Sequence, residues 1–162
     1  MRIPIIAGNW KMHKSRDEAI EFVVDLKKLI ASKELEVEVV ICPPFTSLEG
    51  VLAVTDGSDM KVGAQNMHWE NKGAFTGEIS PKMLADMGCH YVIIGHSERR
   101  QYFAETDNTV NLKVKAALQT KLIPIVCVGE SLEEREQGVT QQIIGRQLEL
   151  GLAELTDSQA QN

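Results

Sequence analysis

What this sequence has little of narrows its chemistry before any motif is read. Cysteine is scarce: Cys42, Cys89 and Cys127 are the only three in 162 residues. They are odd in number, widely spaced and expected in apolar strands. With no Cys-x-x-Cys pair and no His/Cys cluster, neither a disulfide framework nor a metal site is expected. They read as buried, reduced thiols of a cytoplasmic protein. Positive charge is also in deficit, with 17 Lys and Arg against 23 Asp and Glu and a formal net charge of -6. Nucleic-acid phosphates call for clustered Lys and Arg, so no nucleic-acid partner is expected. No run approaches the roughly 20 apolar residues that span a membrane, and Met1–Ala7 is too short an apolar run for a signal peptide. Neither a membrane nor export is expected. Walker A and Gly-x-Gly-x-x-Gly patterns are missing, which leaves nucleotide binding without support. No Gly-x-Ser-x-Gly elbow surrounds any serine, which disfavours a covalent serine mechanism. Low-complexity segments and interdomain linkers are absent too, so residues 1–162 read as one domain.

What is present is an alternation of strand-like and helix-like patterns. Ile3–Ala7 predicts a first buried strand, followed by a capping box at Ser15–Glu18, and a second such box falls at Ser131–Glu134. Ala19, Phe22, Val23, Leu26, Leu29 and Ile30 then recur at helical spacing. Further strands are predicted over Val37–Ile41, Met60–Ala64, Tyr91–Ile94 and Leu122–Val128. Ser80-Pro81 opens a helix and Gly88 stops it. Val110, Val114, Ala117 and Leu118 mark one face of another helix, and a last one is predicted from Thr140 to Leu155. Apolar strands, each followed by a helix, indicate a parallel sheet covered by helices. Periodicity alone suits either an open doubly wound sheet or part of a (β/α) barrel.

The chemistry collects where strands end. Asn9 and Lys11 follow the first strand, Gln65 and Asn66 the third, His96 the fourth, and Glu130 the fifth. In a parallel sheet these side chains converge on the carboxyl-end face, where α/β folds bind ligands. Ser97 is expected to cap the helix that begins beside His96. The stretch Gln65–Ile79 is too long for a default connection and predicts a functional loop.

Asn9-Trp-Lys11, Gly63-Ala-Gln-Asn66, Gly73-Ala-Phe-Thr-Gly-Glu78, Gly95-His-Ser-Glu-Arg-Arg100 and Cys127-Val-Gly-Glu130 together resemble the motifs of the triosephosphate isomerase family, in the family's order. The resemblance implies a (β/α)8 barrel and interconversion of dihydroxyacetone phosphate and glyceraldehyde 3-phosphate through an enediol, in glycolysis and gluconeogenesis. It implies neither cofactor nor metal. It makes His96 the neutral electrophile that polarises the substrate carbonyl, and a helix beginning there disfavours a second proton on the ring. Lys11 would meet the phosphate and the developing oxyanion, with Asn9 binding substrate and orienting Lys11. Glu98 would pair with Lys11 at the site, Arg99 and Glu105 would form a structural ion pair, and Glu130 would lie behind the reacting groups. The loop bearing Thr76 would insert into a neighbouring subunit, which implies a homodimer.

A complete barrel of this kind has eight strands and about 250 residues. This sequence supplies about five strand–helix units, so it is expected to form a carboxy-terminally truncated, incomplete barrel. The family's glutamate base, its closing lid and its later phosphate-gripping loops have no counterpart here, and the base is assigned to no residue. Negligible activity alone is the expectation. The alternative is a non-catalytic fragment or interaction protein that keeps the half-barrel and the dimer loop.

Overall fold

The computed structural model describes residues 3–160. Met1, Arg2, Gln161 and Asn162, which the sequence pattern places in the first apolar run and the carboxy terminus, lie outside the described residues. Five strands, β1 (Ile5–Asn9), β2 (Glu38–Cys42), β3 (Lys61–Ala64), β4 (Tyr91–Ile94) and β5 (Ile123–Val126), form one sheet in chain order. Every neighbouring pair is parallel. The helices are α1 (Arg16–Ile30), α2 (Leu48–Thr55, preceded by a 3-10 turn at Phe45–Ser47), α3 (Pro81–Met87), α4 (Ser97–Tyr102), α5 (Asp107–Gln119), α6 (Leu132–Glu136), α7 (Thr140–Gly151) and α8 (Asp157–Ala160).

Strand order and packing decide between the two folds that periodicity left open. A doubly wound sheet reverses its strand order and carries helices on both faces. Here the order never reverses. Side chains from α1, α2, α3 and α5 (Ala19, Val51, Leu84 and Val114 among them) share one core with Val62 and Ala64 of β3 and Val92 and Ile94 of β4. The alternate residues of the sheet, Val40, Cys42, Tyr91 and Ile93, form a separate cluster on the opposite face, joined by Ile125 and Cys127. One face covered by helices and the other packing on itself is a half-barrel. Gly63 shows how tightly that inner face closes: a Cβ there would lie 2.9 Å from Cys42 Sγ and 3.0 Å from Tyr91 Cβ. Tyr91 Oη also donates to Glu38 Oε1 across the same face.

Local signals hold closely. The capping boxes at Ser15/Glu18 and Ser131/Glu134 are both formed. Ser80 caps α3 with Pro81 in its first turn, and Gly88 ends it in the left-handed conformation at φ 99°. Three expectations need correction. The first strand is not buried: β1 is exposed along Ile5–Gly8, because it sits at a sheet edge and no described helix covers it. The last long helix stops at Gly151 rather than Leu155. Asn111 Nδ2 of α5 donates to the carbonyls of Gly151 and Ala153 at 3.2 and 2.9 Å, so a tertiary contact takes over the backbone groups that the helix would have used. The cysteines are free, but Cys89 follows α3 rather than lying in a strand, and Cys127 is only half-buried.

Candidate active site

A cleft of about 710 Å³ opens at the carboxyl ends of the strands, and Asn9, Lys11, Gln65, Asn66, His96 and Glu98 all line it. The sheet thus brings together residues that the sequence separates by up to 89 positions.

His96 stands on the more rigid side. Gly95 ends β4 with φ 76°, and a Cβ there would fall 3.0 Å from the Cys127 carbonyl and 3.1 Å from Val110 Cγ2, so only glycine fits the turn. Side chains hold both its backbone groups. Gly95 N–H donates to Glu105 Oε1 at 3.0 Å, and Arg100 Nε donates to its carbonyl at 2.8 Å. Arg100 in turn binds Asp107 at 2.6 Å. His96, not Ser97, caps α4: its Nδ1 accepts the Glu98 N–H at 3.2 Å. That places the lone pair on Nδ1 and the ring proton on Nε2. Ser97 is instead the first helical residue and is exposed.

Behind the histidine lies a buried charge cluster. Glu105 Oε2 is 2.7 Å from Arg99 Nε and 3.2 Å from Lys113 Nζ, and Lys113 also donates to Asn66 Oδ1 at 2.8 Å. Burial by itself pushes the Glu105 carboxyl up, but Lys113, the Gly95 N–H and Arg99 outweigh it and hold the group below the usual carboxylate range. Lys113 carries the opposite balance. Burial pushes its ammonium down, Glu105 pulls it back up, and the nearby Arg99 charge adds to the lowering, which prevails.

The lysine side is built differently. Lys11 follows an exposed edge strand and adopts φ 53°, a left-handed conformation uncommon for a residue with a side chain. Its N–H donates to Asn9 Oδ1 at 3.0 Å, and its carbonyl accepts from Gln65 Nε2 at 2.9 Å. Its Nζ meets Glu98 Oε1 at 2.7 Å, and the other Glu98 oxygen lies 3.6 Å from His96 Nδ1. That hydrogen bond from Lys11 holds the Glu98 carboxyl below its ordinary range.

Glu130 and Thr76, neither of them expected to touch substrate, lie outside this cleft. The Glu130 carboxylate folds back on Arg135 at 2.7 Å. Thr76 is exposed on the long loop, beside a second hollow shared with Arg99 and Phe103. That loop is closed at its base by His68 N–H donating to the Ile79 carbonyl at 2.8 Å, and is packed by His68 against Trp69 and Phe75. The sequence pattern gave no role to Lys113, although a signal was there: it falls three residues after Val110, on the apolar face of α5. Among the described residues, no group of three or more His, Cys, Asp or Glu side chains could hold a metal ion, and no helix is long and apolar enough to cross a membrane.

Comparison with known proteins agrees with this geometry. A family model described as triosephosphate isomerase matches residues 4–162. The sequence is 58% identical over 161 residues to the triosephosphate isomerase of Clostridium botulinum (strain ATCC 19397 / Type A), covering 99% of this chain and 64% of the relative. Identity is 55% over 162 residues to that of Moorella thermoacetica, covering 100% of this chain and 64% of the relative. Among solved structures, the triosephosphate isomerase of Bartonella henselae is similar with a TM-score of 0.87 at 38% identity, over 96% of this chain and 64% of that one. The chain therefore spans about 64% of the length of the relatives it matches.

Proposed function

The chain belongs to the triosephosphate isomerase family, and on that premise we propose that its cleft is the carbonyl-polarising and phosphate-binding side of an isomerase site. The reaction is the interconversion of dihydroxyacetone phosphate and glyceraldehyde 3-phosphate in the cytoplasm, with no cofactor. The observation that carries the reading is the meeting of Lys11, Asn9, His96 and Glu98 in one cleft beyond the strand ends. A proton leaves the carbon beside the substrate carbonyl, and negative charge develops on that oxygen. His96 Nε2–H is free to donate to it, because Nδ1 is already engaged by the Glu98 N–H. Lys11 supplies a compact positive charge for the phosphate and the oxyanion. Asn9 keeps its side-chain oxygen on the Lys11 N–H, which leaves its NH2 group for substrate. Glu98 holds the ammonium until an anion arrives.

The general base is assigned to none of these residues. Glu98 is the glutamate nearest His96 and is already bound to Lys11. A missing base removes a contribution of roughly 10²–10⁴-fold, so the 162 residues alone are expected to have negligible turnover. We also propose that the compact loop bearing Thr76 contacts a second copy in a homodimer; its exposed Phe75 tip supports this. Glyceraldehyde 3-phosphate turnover, measured for the complete natural gene product and for the purified 162-residue chain, tests the reading. No turnover by the complete product contradicts the isomerase function, and normal turnover by the 162-residue chain contradicts the need for a base outside it.

A further inference from the structure

We propose that Gln65 is a positioning residue for Lys11, stapling it to the body of the sheet. The proposal rests on the isomerase reading of the cleft, in which Lys11 meets the substrate's charge. One side-chain nitrogen does the work: Gln65 Nε2 donates to the Lys11 carbonyl at 2.9 Å and to the Cys42 carbonyl at 2.8 Å. The two carbonyls belong to different chain segments, one just past the exposed edge strand β1 and the other at the buried end of β2. Cys42 also accepts the Trp10 N–H at 3.1 Å, so its carbonyl is the fixed point to which both sides of this turn are tied.

Lys11 needs such an anchor. Its side chain is half exposed, so packing does not set its place. Its φ of 53° is a conformation that an unconstrained lysine leaves readily. Of its three polar partners, Asn9 is two residues away and moves with the same turn. Glu98 grips only the flexible end of the side chain and is itself 41% exposed. Gln65 is the one that ties the lysine backbone to a neighbouring strand. The chemistry also specifies the residue type: both amide protons are used on two acceptors. An ionised glutamate has no proton to give, and methionine has no donor.

A double-mutant cycle in the complete natural polypeptide tests this, with kcat/KM for glyceraldehyde 3-phosphate as the readout. Gln65→Met is expected to lower kcat/KM at least tenfold in the parent protein and less than twofold when Lys11 is already methionine. Gln65→Glu, closer in shape, is expected to behave the same way should Gln65→Met fold poorly. Equal losses in both backgrounds, or no loss in the parent, overturn the proposal, since a purely structural residue would cost activity whether or not the lysine is present. Lys11→Met without effect would instead overturn the isomerase reading. In that event the crystal structure of the Gln65 variant decides the staple: Lys11 retaining a φ near +53° overturns it, and a move to negative φ supports it.

Discussion

Two lysine–glutamate pairs lie at this cleft and behind it, and the closer one is the more exposed. Lys11 and Glu98 approach to 2.7 Å with side chains 50% and 41% exposed, whereas Lys113 and Glu105 are 3.2 Å apart at 6% and 2%. Water screens the first pair and leaves it free to open. The second is deprived of water, so each of its members depends on the other and on Arg99, Asn66 and the Gly95 N–H. The distance between charges says little until burial is known. The contrast also describes the site: the His96 side rests on a frame that admits no alternative, while the Lys11 side is held by a few polar contacts on an edge strand.

If the two sides play different chemical parts, substitutions should separate them by kinetic signature. In the complete protein His96→Gln is expected to lower kcat by roughly 10²–10⁴-fold with little change in KM, as for a group that acts in the transition state. Lys11→Met is expected to raise KM markedly. Steady-state kinetics on both variants check this, and a His96 effect confined to KM would erase the distinction.

The buried frame itself is broken most directly at Glu105. Glu105→Ala leaves Arg99, Lys113 and the Gly95 N–H without their shared acceptor, and should cost about 3–5 kcal/mol in urea unfolding. Gly95→Ala comes next. It forces a side chain into a left-handed turn and against the Cys127 carbonyl, at an expected cost of about 1–3 kcal/mol, together with a displaced His96 visible in the imidazole NMR signals.

Acid should sharpen the comparison. Glu105 is pushed up by burial but held below its ordinary range by Lys113, the Gly95 N–H and Arg99. A carboxyl depressed in the folded state binds its proton more readily when unfolded. Its stabilisation is therefore complete above the unfolded value of about 4.3 and is lost as pH falls through the lower folded value. Urea midpoints followed downward from pH 5 are expected to fall less steeply in Glu105→Gln than in the parent. The smallest effect belongs to the exposed pair: Glu98→Gln should leave the neutral-pH midpoint unchanged within error, at low and at high salt alike.

Much of this molecule was legible residue by residue because the signals were local. Ser15, Ser80 and Ser131 cap helices through bonds within one turn, and Gly88 marks a left-handed helix stop that nearby residue types announce. Polar residues at successive strand ends pointed to the cleft, and its motifs pointed to the family. Errors came where a neighbour distant in sequence decided. The end of α7 was misplaced because Asn111 captures its last carbonyls.

Five apolar strands alternating with helices, the caps at Ser15, Ser80 and Ser131, and the side chains suited to a small anionic substrate can be read from the chain alone, because these follow from periodicity and residue chemistry. Packing settles that β1 is an exposed edge, that His96 rather than Ser97 caps α4, that Lys113 is a buried counter-ion, and that Gln65 ties the turn after β1 to the end of β2. Exposure, a hydrogen-bond partner and the strength of an ion pair are set by what packs alongside. Strands that lie adjacent in the sheet place next to one another groups that the chain keeps tens of residues apart.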